Sequence, residues 1–180
     1  FREKSFFDLM FSIIIPTYNN LEYLKLCIES IKKNTLINYE LIFHINDGSD
    51  GTLDYIKENK FKHTHSNQNI GLCRAINNSA KLASQKYIVY AHDDMYFCPG
   101  WDVSLINEIK KINHDNFFLS GTLIESNSGH IKFDCGDKIS NFDEDKLLNN
   151  YKSKNFYDYQ GSHYAPHIVT RKVWEKVGGF

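Results

Sequence analysis

Phe11 to Ile15 is an apolar, β-branched run that ends at Pro16, the pattern of a strand buried on both faces. The apolar spacing then lengthens. Leu21, Leu24, Ile28 and Ile31 share one face of a predicted helix, with Asn19 as the expected N-cap and Glu22 as its capping-box partner. Tyr39 to Ile45 predicts a second strand, Asn46-Asp47-Gly48-Ser49-Asp50-Gly51 its turn, and Leu53 with Ile56 a short helix. Phe61 to Ser66 is a weaker third strand. Leu72, Ala75, Ile76, Ser79, Ala80 and Ala83 form a stripe on the next helix, small enough to pack closely on a sheet. Lys86 to Ala91 is a fourth strand, and Trp101 to Ile112 carries Leu105, Ile106, Ile109 and Ile112 in helical phase.

This βαβαβαβα order predicts an α/β domain with a mainly parallel central sheet and helices on both faces. Past Phe117 the alternation loosens. Phe117 to Ile124 and His130 to Cys135 are expected strands, joined by a hairpin turn at Asn127-Ser128-Gly129. Asp143 to Tyr151 reads as helix, Tyr164 to Thr170 as a return to the sheet, and Val173 to Val177 as a short helix with a glycine stop. No repeat or low-complexity linker interrupts the pattern. Residues 11–180 are therefore expected to form one domain with a mixed-sheet second half, and residues 1–10 an N-terminal extension. The chain starts at Phe1 rather than Met and stops directly after a helix, so a longer parent chain is expected.

Composition narrows the function classes. Lys plus Arg number 21 against 22 Asp plus Glu, so no global basic field draws the chain onto nucleic acid. No apolar run approaches the roughly 18 residues needed to span a bilayer, so any membrane contact would be peripheral, at the surface. Cys27, Cys73, Cys98 and Cys135 form no C-x-x-C; they read as small apolar residues and favour a reducing, cytoplasmic setting over a zinc cage or redox pair.

The chemistry gathers where strands end. Tyr87 to Ala91 empties into His92, then two adjacent carboxylates, Asp93 and Asp94. Carboxylates at the mouth of a buried strand are costly unless a cation meets them. Mn²⁺ or Mg²⁺ suits the place, taking oxygen ligands and sharing them with phosphates. The C-terminal mouth of an open α/β sheet is also where ligands bind. Taken singly, Asp47 is a turn residue, Asn69 a cap, Tyr18 packing and Arg74 a solvated charge. Four polar loops on one sheet edge point instead to a shared pocket. A dinucleotide oxidoreductase would need G-x-G-x-x-G after the first strand, and Pro16-Thr17-Tyr18-Asn19 supplies no glycine.

Ile13-Ile14-Ile15-Pro16-Thr17-Tyr18-Asn19, Asn46-Asp47-Gly48-Ser49-Asp50-Gly51-Thr52, Asn69-Ile70-Gly71, Asp93-Asp94 and the block from Trp174 to Phe180 resemble, in order, the signature segments of family 2 glycosyltransferases. The resemblance covers residues 11 to 180. It implies a GT-A fold, with a donor-binding portion at 11–115 and the start of an acceptor-side portion at 116–180. It places Pro16, Thr17, Tyr18, Asn19 and Asp47 at the nucleotide; the Asp47 carboxylate can accept the N–H of a uracil-type base. It brings Asn69, Gly71 and Arg74 near the donor. Asp94 becomes the direct metal ligand, and Asp93 contacts ribose or metal-bound water. His92 stands where the family's D-x-D signature has its first acid, and reads as lining the pocket rather than holding metal.

The implied reaction moves a sugar from a nucleotide sugar, with a UDP-sugar favoured, to an acceptor hydroxyl with inversion and metal assistance. The alternative is a non-catalytic nucleotide-sugar-binding module. The family keeps its general base beyond the segment that ends here at Phe180, so no catalytic base is assigned; His163 and His167 read as core or surface histidines. Glycan, lipid-linked and protein acceptors all stay open.

Overall fold

The structure, a computed structural model, describes residues 10–154 and 165–180. His163 and most of the expected N-terminal extension lie outside the described residues. In chain order the elements are β1 (Met10–Tyr18), α1 (Leu21–Asn34), β2 (Asn38–Asn46), α2 (Thr52–Glu58), β3 (Lys62–Ser66), α3 (Leu72–Ala80), β4 (Tyr87–Tyr90) and α4 (Trp101–Ile112). The second half adds β5 (Phe118–Ser120), β6 (Ile124–Glu125), β7 (Ile131–Lys132), α5 (Glu144–Asn150), β8 (His167–Thr170) and α6 (Arg171–Val177).

Six strands form one sheet in the order β3-β2-β1-β4-β8-β5. β1 to β4 run parallel, as the alternation of strand and helix predicts, while β8 is antiparallel to both of its neighbours. This is the mainly parallel α/β sheet of the GT-A fold, with a mixed edge.

Alternate residues of β1 feed two separate cores, which is why its apolar run is continuous. Phe11, Ile13 and Ile15 pack with Leu24, Cys27, Ile28 and Ile31 of α1 and with Leu105, Ile106 and Ile109 of α4. Ile14 faces the other way, with Ile76 and Ala80 of α3 and Trp174 of α6. Truncating any of these buried isoleucines to alanine costs about 2–5 kcal/mol.

Two expectations need correction. The N-cap of α1 is Asn20, not Asn19, and its side chain makes no capping bond. The first amide of the helix, Leu21 N–H, donates instead to Asp50 Oδ2 at 2.9 Å, so the turn after β2 caps the helix after β1. Asn19 is released for other contacts, in a left-handed conformation at φ 47°. The expected hairpin around Asn127-Ser128-Gly129 is also absent, since β6 and β7 pair in parallel. The reason is local: the His130 and Ile131 amides both donate to the Leu123 carbonyl, and Ser128 Oγ bonds back to the Glu125 carboxylate. The loop therefore closes on itself rather than reversing the ladder.

Candidate functional site

β1, β2 and β3 end level, with Tyr18 opposite Asn46 and Asn46 opposite Ser66. β4 stops lower. Tyr90 pairs with Ile14, and Ala91 N–H closes the ladder on Ile14 O at 3.1 Å, so Pro16, Thr17 and Tyr18 project past the end of β4. After β3 the chain returns to the opposite side of β1, which makes the β1–β4 boundary the switch point where such sheets bind ligands. The His92-Asp93-Asp94 turn leaves the sheet in this notch.

Its placement is fixed from α1. Cys27 Sγ donates to the His92 carbonyl at 3.5 Å, and His92 N–H donates to Met95 Sδ at 3.4 Å. Just beyond, Phe97 N–H donates to Ser30 Oγ at 3.0 Å and Asn34 Nδ2 to the Phe97 carbonyl at 2.7 Å. The segment that carries the carboxylates is thus bolted at both ends.

Asp93 is half-buried and Asp94 exposed. Burial pushes the Asp93 carboxyl above its ordinary range; the dipoles of Thr17 and Asn20 oppose the rise, and the Asp94 charge adds to it. Thr17 Oγ1 is buried with no hydrogen bond of normal geometry, so it acts on Asp93 as a nearby dipole only. Among the described residues no ion pair involves Asp93 or Asp94. Two adjacent carboxylates, one partly desolvated and neither paired with a cation among the described residues, fit a hard divalent ion. Among the described residues no cluster of three His, Cys, Asp or Glu side chains converges. The protein would then supply few ligands, leaving room for water and phosphate as Mg²⁺ prefers. His92 is exposed and its ring lies against Tyr90, with centroids 5.3 Å apart.

On the other side of the mouth, Asp47 has φ 61° and is held from every direction. Its N–H donates to Ser66 O at 2.8 Å, and its carbonyl accepts from His65 Nε2 at 2.8 Å. Its Oδ2 accepts from Asn19 Nδ2 at 3.0 Å and from Ser49 Oγ at 3.2 Å. The next amide, Gly48 N–H, donates to Asn19 Oδ1 at 2.9 Å. Gly48 is obligatory here: at φ 85°, an added Cβ would lie 2.8 Å from both Ile45 Cγ2 and Leu53 Cβ.

The remaining sequence-derived residues spread along the same edge. Tyr18 is exposed, while Pro16 and Thr17 are buried. Asn69 Oδ1 accepts from Gly71 N–H at 2.9 Å, and Gly71 is the N-cap of α3 at φ 85°, with open space where a side chain would be. Arg74 is exposed in the first turn of α3 and joins no described ion pair. The structure joins Asn19 to Asp47 directly and sets Thr17 against Asp93. It gives Asn69, Gly71 and Arg74 no direct contact with either carboxylate group.

Sequence reasoning missed four residues here: Asn20, Asp50, His65 and Tyr90. Asn20 sits one position from Asn19, and Asp50 three from Asp47, within the turn that the sequence already marks. Tyr90 hides in a strand as an ordinary apolar position. Burial pushes its phenol up, and Asp94, Cys73 and Asp93 add to the shift, so the start of α3 and the carboxylate turn converge on it. His167 is flanked by Tyr90 and Phe118 at centroid distances of 5.8 and 4.8 Å, and both its ring nitrogens are buried without partners. An open hollow of about 480 Å³ by Asp134, Asp137 and Lys146 lies in the second half of the chain and contains none of these residues; its polar, shallow lining offers no focused chemistry.

The sheet and its mixed edge define an α/β protein of the GT-A fold class. Residues 12–169 match Glycosyl transferase family 2, and the chain belongs to that family. Minor teichoic acid biosynthesis protein GgaA of Bacillus subtilis is 31% identical over 181 residues, covering 91% of this chain and 39% of GgaA. Among solved structures, S. aureus TarS 1-349 in complex with UDP-GlcNAc superposes with a TM-score of 0.67 at 14% identity, covering 94% of this chain and 48% of that one. Mannosyltransferase PcManGT from Pyrobaculum calidifontis, in complex with GDP-Man and Mn²⁺, gives a TM-score of 0.62 at 17% identity, covering 94% and 47%. These two likenesses concern the fold. The chain spans between 17% and 56% of the length of the curated relatives it matches.

Proposed function

We propose that this chain is the donor-binding portion of a metal-dependent, inverting glycosyltransferase that takes a nucleotide sugar, with a UDP-sugar favoured. The observation that carries the reading is the presence, along one sheet edge, of two carboxylates with no cationic partner among the described residues and of an Asp47 whose Oδ1 is left over after its other groups are bonded. Family membership supports glycosyl transfer, and similar folds hold UDP-GlcNAc or GDP-Man with Mn²⁺.

In this reading Asp47 receives the imide N–H of the base, and Thr17 and Tyr18 flank the nucleotide. Asp94 and Asp93 hold Mn²⁺ or Mg²⁺, which when bound stabilises charge on the departing diphosphate. The Gly71 backbone and the positive start of α3 face the same negative charge. Asn69 and Arg74 border the donor from that loop. His92 lines the pocket beside Tyr90. An acceptor hydroxyl attacks the anomeric carbon from the side opposite the diphosphate, which inverts that centre and calls for a general base. No described residue is assigned that role.

No helix of the described residues is long and apolar enough to cross a membrane. A cytoplasmic protein working on a glycan, lipid-linked or protein acceptor, at the membrane surface where the acceptor is lipid-linked, completes the proposal. Calorimetric titration of UDP, UDP-sugars and GDP-mannose in Mn²⁺ and in EDTA tests it. Metal-dependent binding of a nucleotide sugar is the expected result; absence of binding to any of them in Mn²⁺ overturns it.

A further inference from the structure

His65 is the penultimate residue of the polar edge strand β3, paired in register with Ile45. Its side chain does not point idly to solvent. Nε2 lies 2.8 Å from the Asp47 carbonyl, and a carbonyl oxygen can only accept, so Nε2 carries the proton. The same peptide unit ends in Gly48 N–H, which donates to Asn19 Oδ1. One peptide plane, between Asp47 and Gly48, is therefore pinned at its oxygen by a residue of β3 and at its N–H by the residue following β1.

That pinning matters because of the backbone on either side of the plane. Asp47 is left-handed at φ 61° and Gly48 has φ 85°. A non-glycine residue persists in this region only where its surroundings over-determine it. The soft motion open to the Asp47–Gly48 peptide is rotation as a unit, about ψ of Asp47 and φ of Gly48, which exchanges the positions of the carbonyl and the amide. Rotation breaks the His65 bond and the Gly48 N–H bond to Asn19 Oδ1, and so loosens the same Asn19 amide that holds Asp47 Oδ2. Asn19 holds Oδ2 of that side chain directly, so the bond His65 makes through the backbone and the bond Asn19 makes through the carboxylate act on one rigid turn.

We infer that His65 is a positioning residue which fixes the Asp47 carboxylate for base recognition, and so sets the preference for a uracil-type base without touching the nucleotide. The inference rests on the proposed role of Asp47. A residue acting this way tightens the nucleotide that uses the carboxylate and leaves unchanged one that does not.

The test uses UDP and ADP titrations in Mn²⁺ on the unaltered chain, His65→Thr and His65→Gln, with thermal unfolding of each. Threonine keeps a strand-forming residue at the edge, and glutamine keeps an N–H donor of similar reach. His65→Thr is expected to weaken UDP by about three- to tenfold, the range of one hydrogen bond. ADP should hold its affinity, and His65→Gln should recover most of the UDP loss. If the unaltered chain binds UDP and ADP alike, the role given to Asp47 fails, and the inference with it. If the unaltered chain prefers UDP and His65→Thr keeps that preference, the inference alone is overturned. Equal loss of both nucleotides in His65→Thr, with a lowered unfolding temperature, also overturns it, since that is a structural role only.

Discussion

Cys27 Sγ lies 3.5 Å from the carbonyl oxygen of His92, so a thiol on α1 underlies the peptide that leads into Asp93 and Asp94. Burial pushes this thiol far above its ordinary range, and the charges of Asp93 and Asp94 add to the rise. Such a thiol is inert, because the thiolate is the reactive form. Cys98 is likewise pushed up, to about 11, and Cys135 is raised and buried, whereas Cys73 is exposed on α3. Ellman's reagent at pH 8 should therefore find one fast thiol in the folded chain, lost in Cys73→Ser, with Cys27 reacting only on unfolding. A fast Cys27 would show that the carboxylate turn does not stay closed over α1.

The metal reading makes a sharper demand on Asp94. It is exposed and joins no ion pair among the described residues, so Asp94→Ala should leave the unfolding temperature within a few degrees. The same change should abolish the gain in UDP affinity that Mn²⁺ gives the unaltered chain. Equal UDP affinity of the unaltered chain in EDTA and in Mn²⁺ would remove the metal from the proposal.

Asp47→Ala separates recognition of the base from recognition of the phosphates. One charged hydrogen bond is worth about 1.5–3 kcal/mol, so UDP should lose ten- to a hundredfold in affinity, to order of magnitude, while ADP loses little. Indistinguishable losses for the two nucleotides would reduce Asp47 to a turn residue.

Glu40 carries the main acid-sensitive contact of the fold. Its carboxylate accepts from Ser12 Oγ at 2.5 Å, Lys62 Nζ at 2.5 Å, Ser84 N–H at 2.7 Å and Ser84 Oγ at 2.9 Å, joining β1, β2, β3 and the segment before β4. Burial alone would raise its pKa, but the bonds from Lys62, Ser12 and Ser84 prevail and hold it at about 2, against an ordinary 4.5. A depressed carboxylate gives stability that is complete above pH 4.5 and is lost as pH falls toward 2. Up to about 3 kcal/mol should disappear over that window, and Glu40→Gln should flatten it in urea melts taken at successive pH values.

β1, β2 and β4 were legible because each is an apolar run punctuated by a polar loop, whereas β3, polar and at the sheet edge, reads more weakly. The convergence of those loops followed from the topology alone. What escaped depends on contacts distant in sequence or on single-residue geometry. Asn19 and Asn20 are both good caps, and only the reach of Asp50 to Leu21 N–H decides between them. The insertion of β8, antiparallel, between β4 and β5 is set by pairing across the chain, which local pattern does not encode. His65 could have been suspected from the alternation of His63, Thr64, His65 and Ser66, which marks an edge strand. Nothing local says that one of those rings turns back to the Asp47 carbonyl.

His167 gives the remaining prediction. Its ring lies between Tyr90 and Phe118, and neither Nδ1 nor Nε2 finds a hydrogen-bond partner although both are buried. Burial, with a smaller contribution from His92, lowers its pKa to about 4 from an ordinary 6.5. The sign follows: between pH 6.5 and 4 the unfolded chain takes up a proton that the folded chain refuses, so stability falls as pH drops through that window and levels off below it. Because the residue is only partly enclosed, the loss should be about 1–2 kcal/mol rather than the full amount of the shift. His167→Phe keeps the stacking with Tyr90 and Phe118 and removes both unpartnered nitrogens. It should raise stability at pH 5 and reduce the slope between 6.5 and 4, to which His44 and His130, also lowered by burial, contribute, while the separate loss from Glu40 below 4.5 persists. A slope undiminished in His167→Phe would assign it to those other histidines. Loss of UDP binding in a well-folded His167→Phe would instead mean that the imidazole serves the site itself.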